Sequence, residues 1–274
     1  MFFLDFLRKR NLTIKNCRNR FPPSKDEMSC FRSVYKLFLV LSFFLCLASE
    51  GIADSTPSRI VRFSGTAYEL ETGKLLYRDM HEEFWENGKH TRSVVRYVDP
   101  EGKIFATKRI SFLRNRSLPD FNLQDLRDGY LEGGELESGT RVRLFARRKK
   151  EDPIKEKVVD GGDLSALDGG FDYFVDDHWN ELLAGKRIAF RIFVPVELDT
   201  FRFYVEKTKS EPYMGKPALF LRMRIESSIL SVFVKPIDLI YDMESRRIME
   251  YKGTSNINNE KGKSYIVRIV YDFR

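Results

Sequence analysis

The sequence predicts a mainly β protein: a large antiparallel, strongly curved sheet or incomplete β-barrel, with one main packed α-helix near residues 171–184. Three observations carry this. Period-two alternation of apolar and polar residues dominates the chain after residue 58. Turn residues punctuate the alternation at short intervals. A single stretch switches to helical spacing.

After a polar segment from Ser55 to Ser58, Arg59 to Leu70 reads as the first strand and Thr72-Gly73 as its turn. Lys74 to Glu86 is a long second strand, Asn87-Gly88 a strong hairpin signal and Thr91 to Val98 the third strand. A turn at Asp99 to Gly102 leads to Lys103 to Phe112, which completes a four-strand meander. Leu113 to Asp128, with Pro119 and mixed polar residues, is expected to be a loop crossing the sheet. Tyr130 to Glu137 and Arg141 to Arg148 form a hairpin through Ser138-Gly139, and Ile154 to Val159 adds a strand. Phe171, Phe174, Val175, Trp179, Leu182 and Leu183 then follow helical spacing, with Asp168 as the expected cap and Gly185 as the stop. Strands resume over Arg187 to Val194, Phe201 to Lys207, Ala218 to Glu226, Ile237 to Tyr241, Ile248 to Lys252 and Tyr265 to Phe273. About a dozen strands suffice for a large curved sheet or barrel.

The chain divides into an N-terminal extension with a signal peptide, residues 1–53, and a single periplasmic β-rich domain, residues 54–274. Leu37 to Ala48 is a twelve-residue apolar run. A spanning helix needs about 20 apolar residues, so this run fits the apolar core of a signal peptide, with Arg32 and Lys36 before it. Gly51-Ile52-Ala53 places the cut near Ala53. Translation can start at Met1 or at Met28; the second gives a more ordinary leader. The expected location is therefore the periplasm, of a Gram-negative bacterium. Residues 1–53 hold nine Lys/Arg against four Asp/Glu, so of the chain's 47 basic and 40 acidic residues 38 and 36 remain beyond Ala53. That near-neutral balance excludes a general nucleic-acid footprint. Cys17, Cys30 and Cys46 all precede the domain, which excludes disulfide and thiolate chemistry within it.

His81, His90 and His178 lack the close spacing of a zinc helix, so no metal site is expected, and no cofactor. No G-x-S-x-G motif places a serine on an elbow, and Gly161-Gly162 and Gly169-Gly170 lack the context of a phosphate loop. No catalytic residue is assigned, and the protein is read as a non-enzyme. Tyr77, Asp79 and His81 alternate on one strand face with Trp85 beyond, and are candidates for the polar mouth of a ligand cavity. Phe190, Ile192, Phe201, Phe203, Leu219 and Leu221 are candidates for its apolar lining. Asp79 beside His81 also fits acid–base work or a solvated face. Arg147-Arg148-Lys149-Lys150 reads as a solvated strand end or as a peripheral contact with anionic headgroups or an acidic protein.

Gly65-Thr66-Ala67-Tyr68, Gly73-x-x-x-Tyr77 and Tyr97-Val98-Asp99-Pro100-x-Gly102 resemble an uncharacterised family of exported Gram-negative proteins, a domain of unknown function. Asp128-Gly129-Tyr130, Gly170-Phe171-Asp172, Ser255-Asn256-Ile257 and Gly262-x-x-Tyr265 extend the resemblance over most of the mature chain. It implies export and no activity or catalytic residue. The strand pattern is also similar to the LolA/LolB lipoprotein-carrier fold, an open barrel with an apolar concave face; a fold does not fix a function. The function expected is binding or carrying of an apolar or lipid-like ligand in the concave sheet. The alternative is a cell-envelope protein–protein interaction module without a small ligand. Behind these stand an outer-membrane β-barrel, suggested by the alternation of Tyr265, Val267, Ile269, Tyr271 and Phe273, and an enzyme.

Overall fold

Strand alternation becomes strand pairing in a computed structural model, which describes residues 59–273. The leader, the cut near Ala53, the Met28 start and the three cysteines lie outside the described residues. The strands are β1 (Arg59–Glu69), β2 (Leu75–Glu86), β3 (Lys89–Val98), β4 (Ile104–Ser111), β5 (Asp120–Asp125), β6 (Leu131–Ser138), β7 (Arg141–Arg147) and β8 (Lys155–Asp160). They continue as β9 (Ser165–Ala166), β10 (Ile188–Val194), β11 (Asp199–Tyr213), β12 (Lys216–Ile225), β13 (Ile237–Asp242), β14 (Ile248–Asn258) and β15 (Ser264–Asp272). Two short helices, α1 (Phe171–Asp177) and α2 (Trp179–Leu183), separate β9 from β10.

All fifteen strands belong to one sheet. Its order runs from β8 back to β1, then from β15 back to β9, so the first and last strands pair in its middle. Gly65 opposes Tyr271 there, and Ala67 opposes Ile269. Every pairing is antiparallel except β9 with β10. The curved sheet is therefore a meander joined end to end and left open at one seam, between β8 and β9. The chain bridges that seam by other means. Arg148 donates to the Val196 carbonyl at 3.3 Å, Lys157 pairs with Asp199 at 3.9 Å, and the Leu167 amide donates to the Ser117 carbonyl at 3.0 Å.

The β2–β3 hairpin turns at Asn87 and Gly88, whose φ angles of 49° and 75° match the mirror-image turn that suits twisted strands. Three expectations are corrected. The segment 113–128 is not a simple crossing loop, because Asp120–Asp125 forms β5, with Phe121 and Leu123 buried. The helix is broken at His178 into α1 and α2. Asp168 does not cap it: the N-cap is Gly170, with no side-chain cap bond. Gly185 does end the helical segment, at φ 84°, with its amide bonded to the Leu182 carbonyl at 2.9 Å.

The inner face carries two apolar clusters. One gathers residues of β1–β7 with β14 and β15, among them Ala67, Tyr77, Leu123 and Leu144. The other joins α1 and α2 to β10–β13 through Phe174, Trp179, Leu182, Phe190, Leu219 and Tyr241. The segment 165–184 thus lies on the concave side, between the two.

Candidate functional site

The inner face of β2 presents Tyr77, Asp79 and His81 in alternation, and exposure grows along it. Tyr77 is 1% exposed, Asp79 4%, and His81 is half-buried. The Tyr77 hydroxyl lies 2.7 Å from Ser255 Oγ, which also accepts the Ile257 amide at 3.0 Å. Tyr97 and Phe105 meet the Tyr77 ring edge-on at 5.8 and 6.2 Å. Burial pushes the Tyr77 phenol well above its ordinary value, and the Asp79 charge adds to that.

Asp79 fits because its neighbour across the pair is Gly65. A Cβ on Gly65 would stand 2.0 Å from Asp79 Oδ1 and 2.8 Å from Ile269, so only glycine leaves room for the carboxylate. His81 Nε2 lies 3.5 Å from the same Oδ1, and neither atom has a hydrogen-bond partner. The imidazole is stacked on Phe63 at 4.3 Å and meets Tyr271 edge-on at 6.0 Å. Trp85, the fourth mouth candidate, lies beyond a bulge at Phe84/Trp85 and belongs to another cluster. It stacks on His90 at 5.0 Å, and His90 Nδ1 lies 2.7 Å from the Tyr173 hydroxyl on α1.

A second polar group, absent from the sequence-based candidates, lies deeper. Lys108 of β4 is buried and donates to Asp168 Oδ2 at 2.7 Å. Asn256 of β14 donates to the same oxygen at 2.7 Å and to Glu132 Oε1 at 3.2 Å. Tyr130 donates to Glu132 Oε2 at 2.9 Å. Burial opposes the Lys108 charge, but Asp168 and Tyr97 outweigh it and hold the ammonium above its ordinary range. Burial, reinforced by the Asp168 charge, pushes the Glu132 carboxyl up to about 7. On α1, Asp172 accepts the Tyr241 hydroxyl at 2.6 Å, and burial raises its carboxyl pKa.

One signal was available for Lys108. Ala106, Lys108 and Ile110 share a face, and a charge in an otherwise apolar inward row calls for a buried partner. Several residues of the family resemblance also converge here: Gly65, Tyr77, Tyr97, Tyr130, Asp172, Ser255 and Asn256 all line the inner side.

The six apolar-lining candidates form one packed group. Phe190, Phe203, Leu219 and Leu221 are buried in the cluster that contains Phe174, Trp179 and Leu182, and Ile192 and Phe201 pack at its margin. Phe190 stacks on Phe174 of α1 at 4.5 Å. Two open clefts, of about 320 and 250 Å³, are lined by other residues, one beneath the 226–236 loop and one at the seam. The basic run at 147–150 is partly turned onto the protein itself: Arg147 donates to the Gly129 carbonyl at 3.0 Å, and Arg148 pairs with Glu197 at 3.3 Å.

Chemically, this interior offers ion pairs and neutral hydrogen bonds. Ser255 faces a phenol and an amide, not an imidazole, and Lys108 is held as an ammonium by a carboxylate. Among the described residues no three His, Cys, Asp or Glu side chains converge as metal ligands.

The chain matches no protein-family model and no curated protein sequence. Among solved structures it is similar to a crystal structure from Brucella abortus, a beta-barrel-like protein of a domain of unknown function, DUF1849. The TM-score is 0.44 at 10% identity, over 78% of this chain and 97% of that one.

Proposed function

We propose that the protein is an exported periplasmic protein of the cell envelope that acts by binding rather than catalysis, and that it meets its partner through its outer surface. One observation carries this reading: the concave side is occupied by the chain's own segment 165–184. Its apolar side chains cover the six lining candidates, and Asp168 and Asp172 are bonded to Lys108, Asn256 and Tyr241. An outer-membrane barrel is disfavoured because β1–β4 turn Arg62, Arg78, Arg96 and Arg109 outward, where such a barrel needs an apolar band.

A second reading, a carrier of an apolar or lipid-like ligand, is favoured by Asp79 Oδ1 and His81 Nε2, which have no hydrogen-bond partner at the more open end of the β2 face. A ligand headgroup would satisfy both, and its acyl chain would have to displace the helices from Phe190, Phe203, Leu219 and Leu221. Native mass spectrometry of protein isolated from cells without detergent separates the readings. The interaction reading expects a mature N-terminus near Asp54, no bound lipid, and cross-links in intact cells from outward positions. A retained leader removes the export step. Stoichiometric lipid would transfer the function to the carrier.

A further inference from the structure

The four strands β1–β4 sort their charges by face. Inward, away from the ends of β1, they present Asp79, His81, Glu83, His90 and Lys108. Outward, six of eight charged residues are basic, Arg62, Arg78, Lys89, Arg92, Arg96 and Arg109, with Glu82 and Glu86 as the two acids. Glu82 serves two of them, accepting from Arg62 at 3.0 Å and from Arg96 at 2.6 Å, and Arg92 lies over the Phe84 ring at 3.5 Å. Arg78 and Arg109 are exposed and make no ion pair among the described residues. Nothing within the fold explains them.

Their register gives the face a geometry. Arg78 opposes Val98, Arg96 opposes both Met80 and Thr107, and Arg109 opposes Val94. Each arginine is thus one strand over and two residues along from the last, a diagonal neighbour at about 7–8 Å. From β2 to β4 the stripe crosses two strand spacings, about 10 Å at about 4.8 Å each. Met80, 43% exposed, and the half-buried Phe84 and Val94 fill the spaces between the guanidinium groups. The next strand, β5, adds uncharged Asn122 and Gln124 and, at its start, Asp120, which Arg114 holds through two hydrogen bonds. The domain as a whole is close to neutral, so this is a local asymmetry able to orient the molecule.

We propose that the outer face of β1–β4 docks on the headgroup phosphates of an anionic phospholipid bilayer. The proposal rests on the envelope location argued above and names the partner of its outer surface. Complementarity favours an anion, and the guanidinium fork matches phosphate oxygens two at a time. A convex outer face with arginines repeated across strands fits an extended surface of headgroups, whereas a single small anion calls for a concave site. Apolar side chains among the arginines suit the boundary between headgroup and acyl chain.

The test is co-sedimentation of the protein as isolated from cells. Vesicles contain equal parts of phosphatidylcholine and phosphatidylglycerol, or phosphatidylcholine alone. Binding is expected to the anionic vesicles only and to weaken with added salt. Each surface arginine contributes about 1 kcal/mol, so Arg78→Ala with Arg109→Ala should weaken partition about 30-fold. Both side chains are exposed, so the urea midpoint should not move. Lys149→Ala with Lys150→Ala, on another surface, should leave partition within about twofold. Equal binding to both vesicle types, no binding to either, or an unchanged double-arginine variant would each overturn the proposal. An acidic protein captured through Arg78 and Arg109 in place of vesicles would do the same. The mature N-terminus is measured separately, so failed export sinks the envelope reading without touching the vesicle result.

Discussion

Across β10–β13 the inner face meets the helices through Phe190, Val205, Leu219, Leu221 and Leu239; across β4 and β14 it meets the same segment of chain through Lys108 and Asn256, with Glu132 of β6 bonded behind Asn256. One side is held by area removed from water, which is non-directional and roughly additive. The other is held by charges whose burial costs several kcal/mol each and is offset only while every partner is present. The difference assigns separate tasks to one short segment. Phe174, Val175, Trp179 and Leu182 supply the buried apolar area, but a surface of leucine and phenylalanine tolerates sliding. Asp168 and Asp172 tolerate none, because a carboxylate displaced by one residue leaves Lys108 or Tyr241 unpaired. The polar half sets the register, and the apolar half supplies the stability.

The sharpest way to break this comparison is to leave one charge alone. Lys108→Met leaves the half-buried Asp168 with Asn256 as its remaining partner and should cost about 2–3 kcal/mol in urea unfolding. Adding Asp168→Asn removes the unbalanced charge and should recover most of that loss. Additive costs, or a single-variant loss under about 1 kcal/mol, would mean that the pair is already solvated and sets no register. On the apolar side, Leu182→Ala should cost about 2–5 kcal/mol, since Leu182 is fully buried. No second substitution in the polar network should rescue it. A loss under about 0.5 kcal/mol would make α2 peripheral and move the centre of stability elsewhere.

The apolar half was the more legible in the sequence, for a physical reason. Its pattern is local: Phe174, Val175, Trp179 and Leu182 show their shared face within one turn or two, and Phe190 declares its strand by alternation. Strand existence followed from alternation almost everywhere. It failed at β5, where Pro119 precedes only six residues with Asn122 and Gln124 interleaved, and at β9, which has two residues. β11 runs further than expected because charged pairs such as Lys209 and Glu211 do not end it, and β14 because the mostly polar residues Gly253 to Asn258 go on pairing with β15. The polar half is long-range by nature. Lys108 and Asp168 are 60 residues apart, and Asn256 is 88 residues from Asp168. A short polar residue before a helical period looks like a cap, which hides the role of Asp168; the apolar row around Lys108 signals a buried charge but does not say which residue pairs with it.

The comparison is sharpened further through pH. The Glu132 carboxyl is raised from an ordinary 4.5 to about 7 by burial and by Asp168. Between those values the folded state holds a proton that the unfolded chain releases, so stability falls as pH rises. The contribution is complete below pH 4.5 and is lost by about pH 7, on the order of 3 kcal/mol in all. Glu132→Gln keeps an acceptor for Asn256 and a partner for Tyr130 but cannot ionise. Relative to the parent, it should gain stability as pH is raised from about 5 to 8, and the difference should flatten above that range. Parallel stability curves for the two proteins would show that Glu132 is not desolvated.

The smallest expected effect separates charges from neutral hydrogen bonds within the polar half. Tyr77→Phe deletes one hydroxyl and keeps the ring, with its edge contacts to Tyr97 and Phe105. Ser255 retains its bond from the Ile257 amide, so no fully unsatisfied group is left behind. The cost should be about 1 kcal/mol, the usual net value of a neutral pair. It should also be independent of pH over the range where Glu132 titrates, because burial holds the Tyr77 phenol well above its ordinary value. If charge dominates the polar half, Lys108→Met must cost clearly more than Tyr77→Phe in the same buffer. Equal losses would mean that the inner face of β2 and the Lys108 group form one cooperative network. In that case Tyr77, Asp79 and His81 would help set the register of the segment 165–184 together with Asp168.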